Sequence, residues 1–316
     1  LHDALPISIA AYAIGSNRAY IYIRSEFEDA IKRIIHAIRK LREYGLLGDN
    51  ILESGYNLQI SLRKGPGAFV CGEETALIAS LEGRRGMPAS KPPFPATTGY
   101  LGRPTVVNNV ETLSNIPGII RNGPDWYRAI GNRDCPGTKI FSISGRSRIT
   151  GLAEVSMGST FDVIVNKITG GVERGRQLKA IHVGGPLGYM VPAEMLDLEI
   201  TYKNLKKHQL GMGSGGIVVM DDRSCAVSMA RYFIEYLHKQ SCGKCIPCRE
   251  GTRRMAEVMR SICTRPSDTP EQTALERFRG IVEMENLAAV MKDTSLCGLG
   301  KNAPNPVMSS LRYFRE

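Results

Sequence analysis

Long hydrophobic runs are absent from this sequence of 316 residues. No stretch reaches the roughly 18 consecutive apolar residues that a membrane-spanning helix needs, so no direct membrane insertion is expected. The first residues do not show the pattern of a secretory signal. Hydrophobic content of 42% is ordinary for a globular chain, and the length allows two or three domains.

Histidine is scarce, and the cysteines lack the spacing of a disulfide scaffold. The sequence has five histidines, and none follows His238. Its eight cysteines include a C-x2-C-x2-C run, which indicates a reducing compartment and a metal site. The formal net charge is +10, but the basic residues are scattered and aromatic residues do not alternate with them. Nucleic acid is therefore not an expected partner, whereas anionic cofactors or acidic protein surfaces are.

The C-x2-C-x2-C run consists of Cys242, Cys245 and Cys248, and Cys297 in SLCGLG follows at a distance. Four thiolates of this kind can hold a [4Fe–4S] cluster or a tetrahedral zinc ion. The run matches the opening of the bacterial ferredoxin pattern, whereas zinc sites more often pair CxxC with CxxC or histidine. The spacing favours iron–sulfur and leaves a zinc-stabilised binding module as the alternative.

Basic residues crowd this run. The basic residues are Lys244, Arg249, Arg253 and Arg254. Two interpretations are open: they stabilise a negatively charged cluster, or they form a solvated helix face. The helices predicted around it are Ala226–Gln240, Gly251–Ile262, Pro270–Val282 and Asn286–Lys292. The remaining cysteines have no ligand spacing and are expected to be buried as small apolar residues: Cys71, Cys135, Cys225 and Cys263.

The N-terminal half reads as an α/β unit. Ala19–Phe27 alternates as a strand, Glu26–Tyr44 has helical spacing, and Asn57–Arg63 alternates again, which predicts a parallel strand pair. Glycines then precede a helix predicted over Glu73–Leu81 and would let backbone amides approach a ligand: Gly65, Gly67 and Gly72. A helix N-terminus after a strand is where α/β sheets bind nucleotides. The alternative is that Glu73 and Glu74 simply complement the helix dipole.

The connection Arg84–Pro117 is unusually long and rich in proline and glycine, which favours a functional loop. Its side chains of ligand-binding type are Lys91, Phe94, Asn108, Asn109 and Thr112. The asparagines could instead make turns. Beyond it, strands are predicted over Thr138–Gly145, Lys179–Gly185 and Ser214–Asp222, in a small α+β domain of β-grasp type.

With these motifs in view, the chain resembles the FMN- and NADH-binding subunit of respiratory complex I and its relatives in NAD-linked hydrogenases and formate dehydrogenases. The resemblance is carried by GAFVCGEETALIASLEG, KPPFPATTGYLGRPTVVNNVETL, MGSGGIVVMDD, SCGKCIPCREGTRRM and SLCGLGKNAPNPVMSSLRYF. It implies α/β plus α+β plus all-α architecture. Residues 9–130 would be a partial Rossmann-like flavin domain, 131–222 a ubiquitin-like (β-grasp, SLBB-type) domain, and 223–316 a helical bundle with an iron–sulfur cluster. It also favours iron over zinc.

Two departures stand beside the resemblance. The family has an upstream glycine-rich stretch, GRGGAGFP, that cradles the FMN phosphate, and this stretch is not in the sequence. The opening LHDALPIS does not resemble the family either, so residues 1–8 are expected to be non-native or artefactual and the chain N-terminally truncated.

The resemblance also implies residue roles. The cluster ligands would be Cys242, Cys245, Cys248 and Cys297. Gly72, Glu73 and Glu74 would line the flavin, with Glu74 as the catalytic residue close to the nicotinamide, and Gly65 and Gly67 in the cofactor loop. FMN would also contact Asn108, Asn109 and Thr112, while Lys91 and Phe94 would hold NADH, Phe94 by stacking on the adenine.

The implied function is NADH dehydrogenase: hydride from NADH to FMN, then single electrons to a [4Fe–4S] cluster and to partner subunits. The partners would be a thioredoxin-like [2Fe–2S] subunit and a larger iron–sulfur subunit, in the cytoplasm or peripherally on the inner membrane face. Alternatives are a subunit of a bifurcating NAD-linked hydrogenase or of a formate dehydrogenase, or a cluster-bearing relay fragment without FMN. The sequence does not distinguish these complexes.

Overall fold

A computed structural model describes residues 5–263 and 270–315. The chain divides between Tyr127 and Arg128 into two compact units. Of the segment 1–8 that was expected to be artefactual, residues 1–4 lie outside the described residues, and a helix begins directly after them at Leu5.

The first unit contains a small sheet and short helices. Its elements are α1 (Leu5–Ala13), β1 (Arg18–Arg24), α2 (Glu28–Glu43), β2 (Gly48–Ile51), β3 (Tyr56–Gly65), α3 (Glu74–Leu81), α4 (Val110–Ser114), α5 (Ile116–Asn122) and α6 (Pro124–Arg128), the last at the unit boundary. The sheet order is β1-β3-β2. β1 and β3 are parallel, as predicted, and α2 buries Leu41 against Leu58 and Ile60 of β3.

The second unit begins with a mixed sheet. Its elements are β4 (Gly131–Asn132), β5 (Cys135–Pro136), β6 (Thr138–Gly145), β7 (Gly151–Ser156), β8 (Leu178–Val183), β9 (Tyr189–Pro192), α7 (Tyr202–Lys207) and β10 (Gly216–Asp221). The strand order is β7-β6-β10-β8-β9, with β10 parallel to β6 and antiparallel to β8. Ile217 and Val219 of β10 face a core with Phe161, while Met220 faces the other way toward Ala226.

The chain then becomes helical: α8 (Ala226–Gln240), α9 (Ile246–Cys263), α10 (Pro270–Thr294), α11 (Gly298–Asn302) and α12 (Asn305–Tyr313). Two expectations were wrong here. α9 begins before the predicted Gly251 and includes Cys248, and the two helices predicted over Pro270–Val282 and Asn286–Lys292 are one. The residues between them are Glu and Met, which are strong helix formers, and Met284 is fully buried.

Cysteine burial follows the expectation only in part. Cys71 and Cys135 are buried, but Cys225 is exposed and Cys263 is intermediate. Cys225 caps α8, where its sulfur accepts a hydrogen bond from the Ser228 N–H, so it serves the helix end rather than the core. Within the described ranges, no helix is long and apolar enough to cross a membrane.

Candidate functional site: a four-cysteine centre and a carboxylate–lysine cluster

The four predicted metal ligands lie at or just before the starts of two helices, α9 and α11. Cys242 and Cys245 occupy the turn between α8 and α9, in which Gly243 adopts a φ of +79° that favours glycine. Cys248 lies in the first turn of α9, and Cys297 is the residue preceding α11. The Cys297 thiol accepts hydrogen bonds from the N–H groups of Leu299 and Gly300. The sulfur atoms are therefore positioned by the turns and first residues at the starts of α9 and α11.

The four thiols influence one another electrostatically. Burial, together with the neighbouring thiols of Cys245, Cys297 and Cys242, raises the pKa of Cys248 to about 11. The pKa of Cys297 is raised by burial and by Cys242 and Cys245. Mutual repulsion of this kind means that the four sulfur atoms converge on one region, and that only a bound cationic centre would hold them all ionised.

The thiols are not gathered as closely as a single metal ion would require. Among the described residues, no group of three or more His, Cys, Asp or Glu side chains is gathered so that it could hold one metal ion. A zinc ion would require sulfur atoms about 3.8 Å apart, because each lies about 2.3 Å from the metal in a tetrahedral site. A [4Fe–4S] cluster has a body of its own and accepts more widely spaced thiolates, so the assignment of these four cysteines as its ligands stays a prediction.

The basic residues near the run have different roles. Arg249 donates to the Gly243 carbonyl over 2.8 Å and so holds the cysteine turn. Arg253 lies 3.1 Å from Glu257, and Arg254 lies 3.0 Å from the second carboxylate oxygen of Glu283. For Arg253 and Arg254 the structure favours the solvated helix face over direct contact with a cluster.

Two serines at this centre were missed from the sequence. The Ser241 Oγ lies 3.4 Å from the Cys248 Sγ. Ser295 is 4% exposed and sits beside Gly300. Their nearness in sequence to Cys242 and Cys297 is the only signal that could have identified them.

The second region is the start of α3, where Glu73 is the N-cap. Its carboxylate accepts hydrogen bonds from the N–H groups of Thr75 (2.9 Å) and Ala76 (3.0 Å). Partial burial opposes ionisation of Glu73, but these bonds and Lys91 outweigh it and lower its pKa. The structure therefore shows the helix cap that was the alternative for Glu73, and nucleotide binding beside this helix start stays a prediction.

Lys91 connects the two glutamates of this region. Its Nζ is hydrogen-bonded to Glu74 and lies 3.3 Å from the Glu73 carboxylate. The hydrogen bond to Glu74 raises the pKa of Lys91, and Glu73 contributes to the same shift. We call Glu73, Glu74 and Lys91 the carboxylate–lysine cluster; it unites three predicted site residues from two separate segments.

The three predicted glycines are not equivalent. A Cβ on Gly65 would lie 2.5 Å from the Tyr22 ring, and one on Gly67 would lie 2.9 Å from a Glu26 carboxylate oxygen. Packing against Tyr22 thus accounts for Gly65, whereas a φ of +79° accounts for Gly67. A Cβ on Gly72 would meet nothing within 4 Å, and Gly72 has no positive φ. The protein itself does not require glycine there, so the open space fits the close approach of a flat ligand such as a flavin.

The long loop after α3 is attached to that helix. The Ala89 N–H donates to the Thr75 Oγ1 over 2.8 Å, and the Leu101 N–H donates to Glu82 over 2.7 Å. Thr75 and Glu82 were not singled out from the sequence, because their partners lie far along the chain. These two hydrogen bonds hold the loop beside α3.

Other predicted ligand residues of this loop are exposed. They are Phe94, Asn108, Asn109 and Thr112. Asn109 caps α4 by accepting from the Glu111 N–H over 2.8 Å, which is the turn chemistry considered as its alternative. A contact of these four side chains with a cofactor stays a prediction.

Two family models match the chain in the regions just described. The Nuo51 FMN-binding domain matches residues 6–118, and the NADH-ubiquinone oxidoreductase-F iron-sulfur binding region matches 228–316, which contains all four cysteines. An F-type subunit of NADH-quinone oxidoreductase from Rhizobium meliloti (strain 1021) is 40% identical over 309 residues, covering 98% of this chain and 71% of that protein. The chain belongs to the family of F-type subunits of NADH-quinone oxidoreductase.

Hydrogenase proteins are relatives of this F-type chain as well. The HndC subunit of the NADP-reducing hydrogenase of Solidesulfovibrio fructosivorans is 47% identical over 308 residues, covering 98% of this chain and 61% of that protein. A solved NAD+-reducing [NiFe]-hydrogenase in the H2-reduced state superimposes with a TM-score of 0.85 and 32% identity, over 100% of this chain and 51% of the other. The chain thus spans about half to two thirds of the length of these relatives.

Proposed function

We propose that this chain carries the electron-input part of a larger redox assembly: it binds NADH and FMN and passes electrons to a [4Fe–4S] cluster. The observation that carries the proposal is the convergence of four cysteine thiols in a chain that also holds the carboxylate–lysine cluster beside an open glycine. When bound, FMN would take a hydride from NADH and the cluster would accept single electrons.

On the flavin side, we assign the open position at Gly72 to the approach of the flavin ring. Glu74 is the proposed catalytic residue beside the nicotinamide, since it does not cap the helix as Glu73 does. Lys91 supplies a cation for the anionic nucleotide, and Phe94, which is 55% exposed, offers its ring for stacking on the adenine. Further backbone and side-chain contacts to FMN are proposed for Gly65, Gly67, Glu73, Asn108, Asn109 and Thr112.

On the metal side, the proposed ligands are Cys242, Cys245, Cys248 and Cys297. Arg249 holds the turn that carries Cys242 and Cys245 through its bond to the Gly243 carbonyl. The N–H groups at the start of α11 direct partial positive charge toward the Cys297 sulfur, which favours its thiolate form.

The finer architecture is part of the proposal. If the five strands β6 to β10 of the larger sheet are numbered 1 to 5 along the chain, their order in the sheet is 2-1-5-3-4. Strands 1 and 5, which are β6 and β10, are parallel. This arrangement supports a β-grasp domain of SLBB type over residues 131–222. The parallel pair β1 and β3 supports a partial Rossmann-like flavin domain over 9–130. The helices from Ala226 onward support a separate cluster-binding bundle over 223–316.

The proposed partners are a thioredoxin-like [2Fe–2S] subunit and a larger iron–sulfur subunit, which would also place the chain peripherally on the inner membrane face in a complex I-like assembly. The names of the relatives support a quinone-reducing or a hydrogenase assembly equally, and a formate dehydrogenase stays a prediction.

The test is an optical spectrum of anaerobically purified protein supplemented with FMN, recorded before and after NADH. Joint bleaching of the flavin and cluster bands is expected. Iron and sulfide without zinc are expected in the metal analysis, and zinc in their place would support the zinc-stabilised module instead.

A second candidate is a relay or docking fragment that holds the cluster but no FMN. It is favoured by the missing glycine-rich stretch and by the α3 N-terminus, where the N–H groups of Thr75 and Ala76 are already bonded to Glu73. A cluster spectrum with no bound flavin and no response to NADH would select this candidate, while NADH-dependent reduction of an artificial acceptor would eliminate it.

A further inference from the structure

The Ser295 hydroxyl is a buried hydrogen-bond donor that has no acceptor among the described residues. The residue is 4% exposed, and within the described part of the chain its Oγ has no hydrogen-bond partner. Its neighbour Thr294 behaves differently, since the Thr294 Oγ1 donates to the Val290 carbonyl over 2.6 Å. Leaving a buried hydroxyl unsatisfied is unfavourable, so such a group calls for a partner that the protein atoms do not supply.

The position of this hydroxyl points to the four-cysteine centre. A Cβ on Gly300 would lie 2.5 Å from the Ser295 Oγ and 2.8 Å from the Cys248 Cβ. Ser295 and Cys248 therefore flank the same glycine, whose N–H is bonded to the Cys297 sulfur. The hydroxyl thus lies among atoms of two proposed ligands, two residues before Cys297 in the chain.

We propose that Ser295 donates a hydrogen bond to a sulfur atom of the bound cluster, a cysteine thiolate or an inorganic sulfide, and thereby raises its reduction potential. The inference rests on the ligand set proposed above. Reduction adds negative charge to the cluster, and a hydroxyl donor stabilises the more negative state. The effect is strengthened by burial, because a hydrogen bond acts more strongly where water does not screen it.

Ser241 is the natural comparison for this role. Its Oγ lies 3.4 Å from the Cys248 Sγ and also accepts from the Gly243 N–H over 3.3 Å. Ser241 is only partly buried and its hydroxyl already serves the cysteine turn. The Ser295 hydroxyl makes no competing hydrogen bond within the described residues and is shielded from solvent. Removing the Ser295 hydroxyl is therefore expected to shift the reduction potential more than removing the Ser241 hydroxyl.

The test uses the full chain with its cluster assembled anaerobically. Redox titrations followed by electron paramagnetic resonance would compare the wild type with Ser295→Ala, Ser295→Thr and Thr294→Ala. We expect a more negative midpoint potential in Ser295→Ala, recovery toward the wild-type value in Ser295→Thr, and no change in Thr294→Ala. Iron and sulfide are measured in each sample.

An unchanged or more positive potential in Ser295→Ala with full iron and sulfide would overturn the proposal. If that variant does not hold its cluster, Ser295→Cys decides, because a thiol is a weaker donor of similar size: a smaller shift to negative potential is expected, and no shift would again overturn it. A wild-type protein that holds no iron and sulfide would instead refute the ligand set.

Discussion

The cysteine centre and the carboxylate–lysine cluster place their side chains in different ways. Cys248 is 5% exposed and lies in α9, the helix that also buries Met255 and Met259. Phe94 is 55% exposed, and the loop that carries it is attached to α3 by hydrogen bonds and ion pairs. Packing thus positions Cys248, whereas polar contacts position the carboxylate–lysine cluster and the loop beside it. The first arrangement is sensitive to shape, and the second is sensitive to charge.

The largest expected effect is the removal of a metal ligand. Cys297→Ser should lose the cluster and loosen the bundle while leaving residues 9–109 folded, because Cys297, which precedes α11, is the proposed remote ligand of the cluster. Iron and sulfide analysis together with limited proteolysis checks this. Cys225→Ser is the control, since Cys225 caps α8 and should keep full metal content. A full complement of iron and sulfide in Cys297→Ser would refute the ligand set.

A second prediction tests burial by titration. Burial lowers the pKa of His182 to about 4 from its ordinary 6.5, and its ring stacks on Phe233 at 4.1 Å. The unfolded chain therefore binds the proton more readily, so stability present above pH 6.5 is lost as the pH falls toward 4. The loss approaches about 3 kcal/mol, at about 1.4 kcal/mol per pKa unit.

Urea unfolding of the second unit between pH 7 and pH 4 measures this effect. His182→Gln should flatten the pH dependence of the free energy of unfolding, whereas His208→Gln, at the C-terminal end of α7 in the same unit, should retain it. Equal slopes in His182→Gln and the wild type would show that another group is responsible.

The third prediction separates two glycines of the same loop. Gly65→Ala should lower the free energy of unfolding by about 1–3 kcal/mol, because the new methyl group would meet the Tyr22 ring. Gly72→Ala should leave unfolding nearly unchanged, since nothing lies within 4 Å, but should weaken FMN binding. Thermal unfolding and flavin fluorescence titration measure the pair. Undiminished FMN affinity in Gly72→Ala would remove the flavin from that position.

The smallest effect on stability distinguishes the adjacent glutamates. Glu73→Ala should cost about 1 kcal/mol, the usual cost of losing an N-cap. Glu74→Gln should leave stability close to that of the wild type while altering the rate of NADH oxidation in FMN-loaded protein. Denaturant unfolding and stopped-flow kinetics give the two readouts. Unchanged NADH kinetics in Glu74→Gln would contradict its catalytic role.

Sequence patterns predicted the elements whose burial is periodic. The spacing in α2 and the alternation in β1 and β3 follow from one buried face each, and the parallel pairing of these strands follows from their connection. The start of α3 could not be decided in this way. An acidic residue there is compatible with a helix cap and with a ligand site, and the cap became evident only from the observed bonds from Thr75 and Ala76.

Features that depend on residues far apart in the chain could not be predicted from the sequence. The strand Tyr189–Pro192 is short and is held by its pairing with β8 rather than by its own propensity. Lys91 reaches Glu74 across a loop, and Ser295 meets Cys248 across Gly300. These contacts arise only after the chain has folded, so local patterns carry no trace of them.

The central position of β10 has a consequence for how the chain acquires its structure. β10 joins β6 to β8, yet it is the last of these strands along the chain. During synthesis, the residues of β6, β7, β8 and β9 therefore emerge before the strand that unites the pairs β6–β7 and β8–β9, so any pair that forms early has an open inner edge. Open edges of this kind invite pairing with other chains. The interval before Gly216–Asp221 emerges is thus when a nascent chain is most exposed to misassembly, and when shielding by a chaperone would matter most.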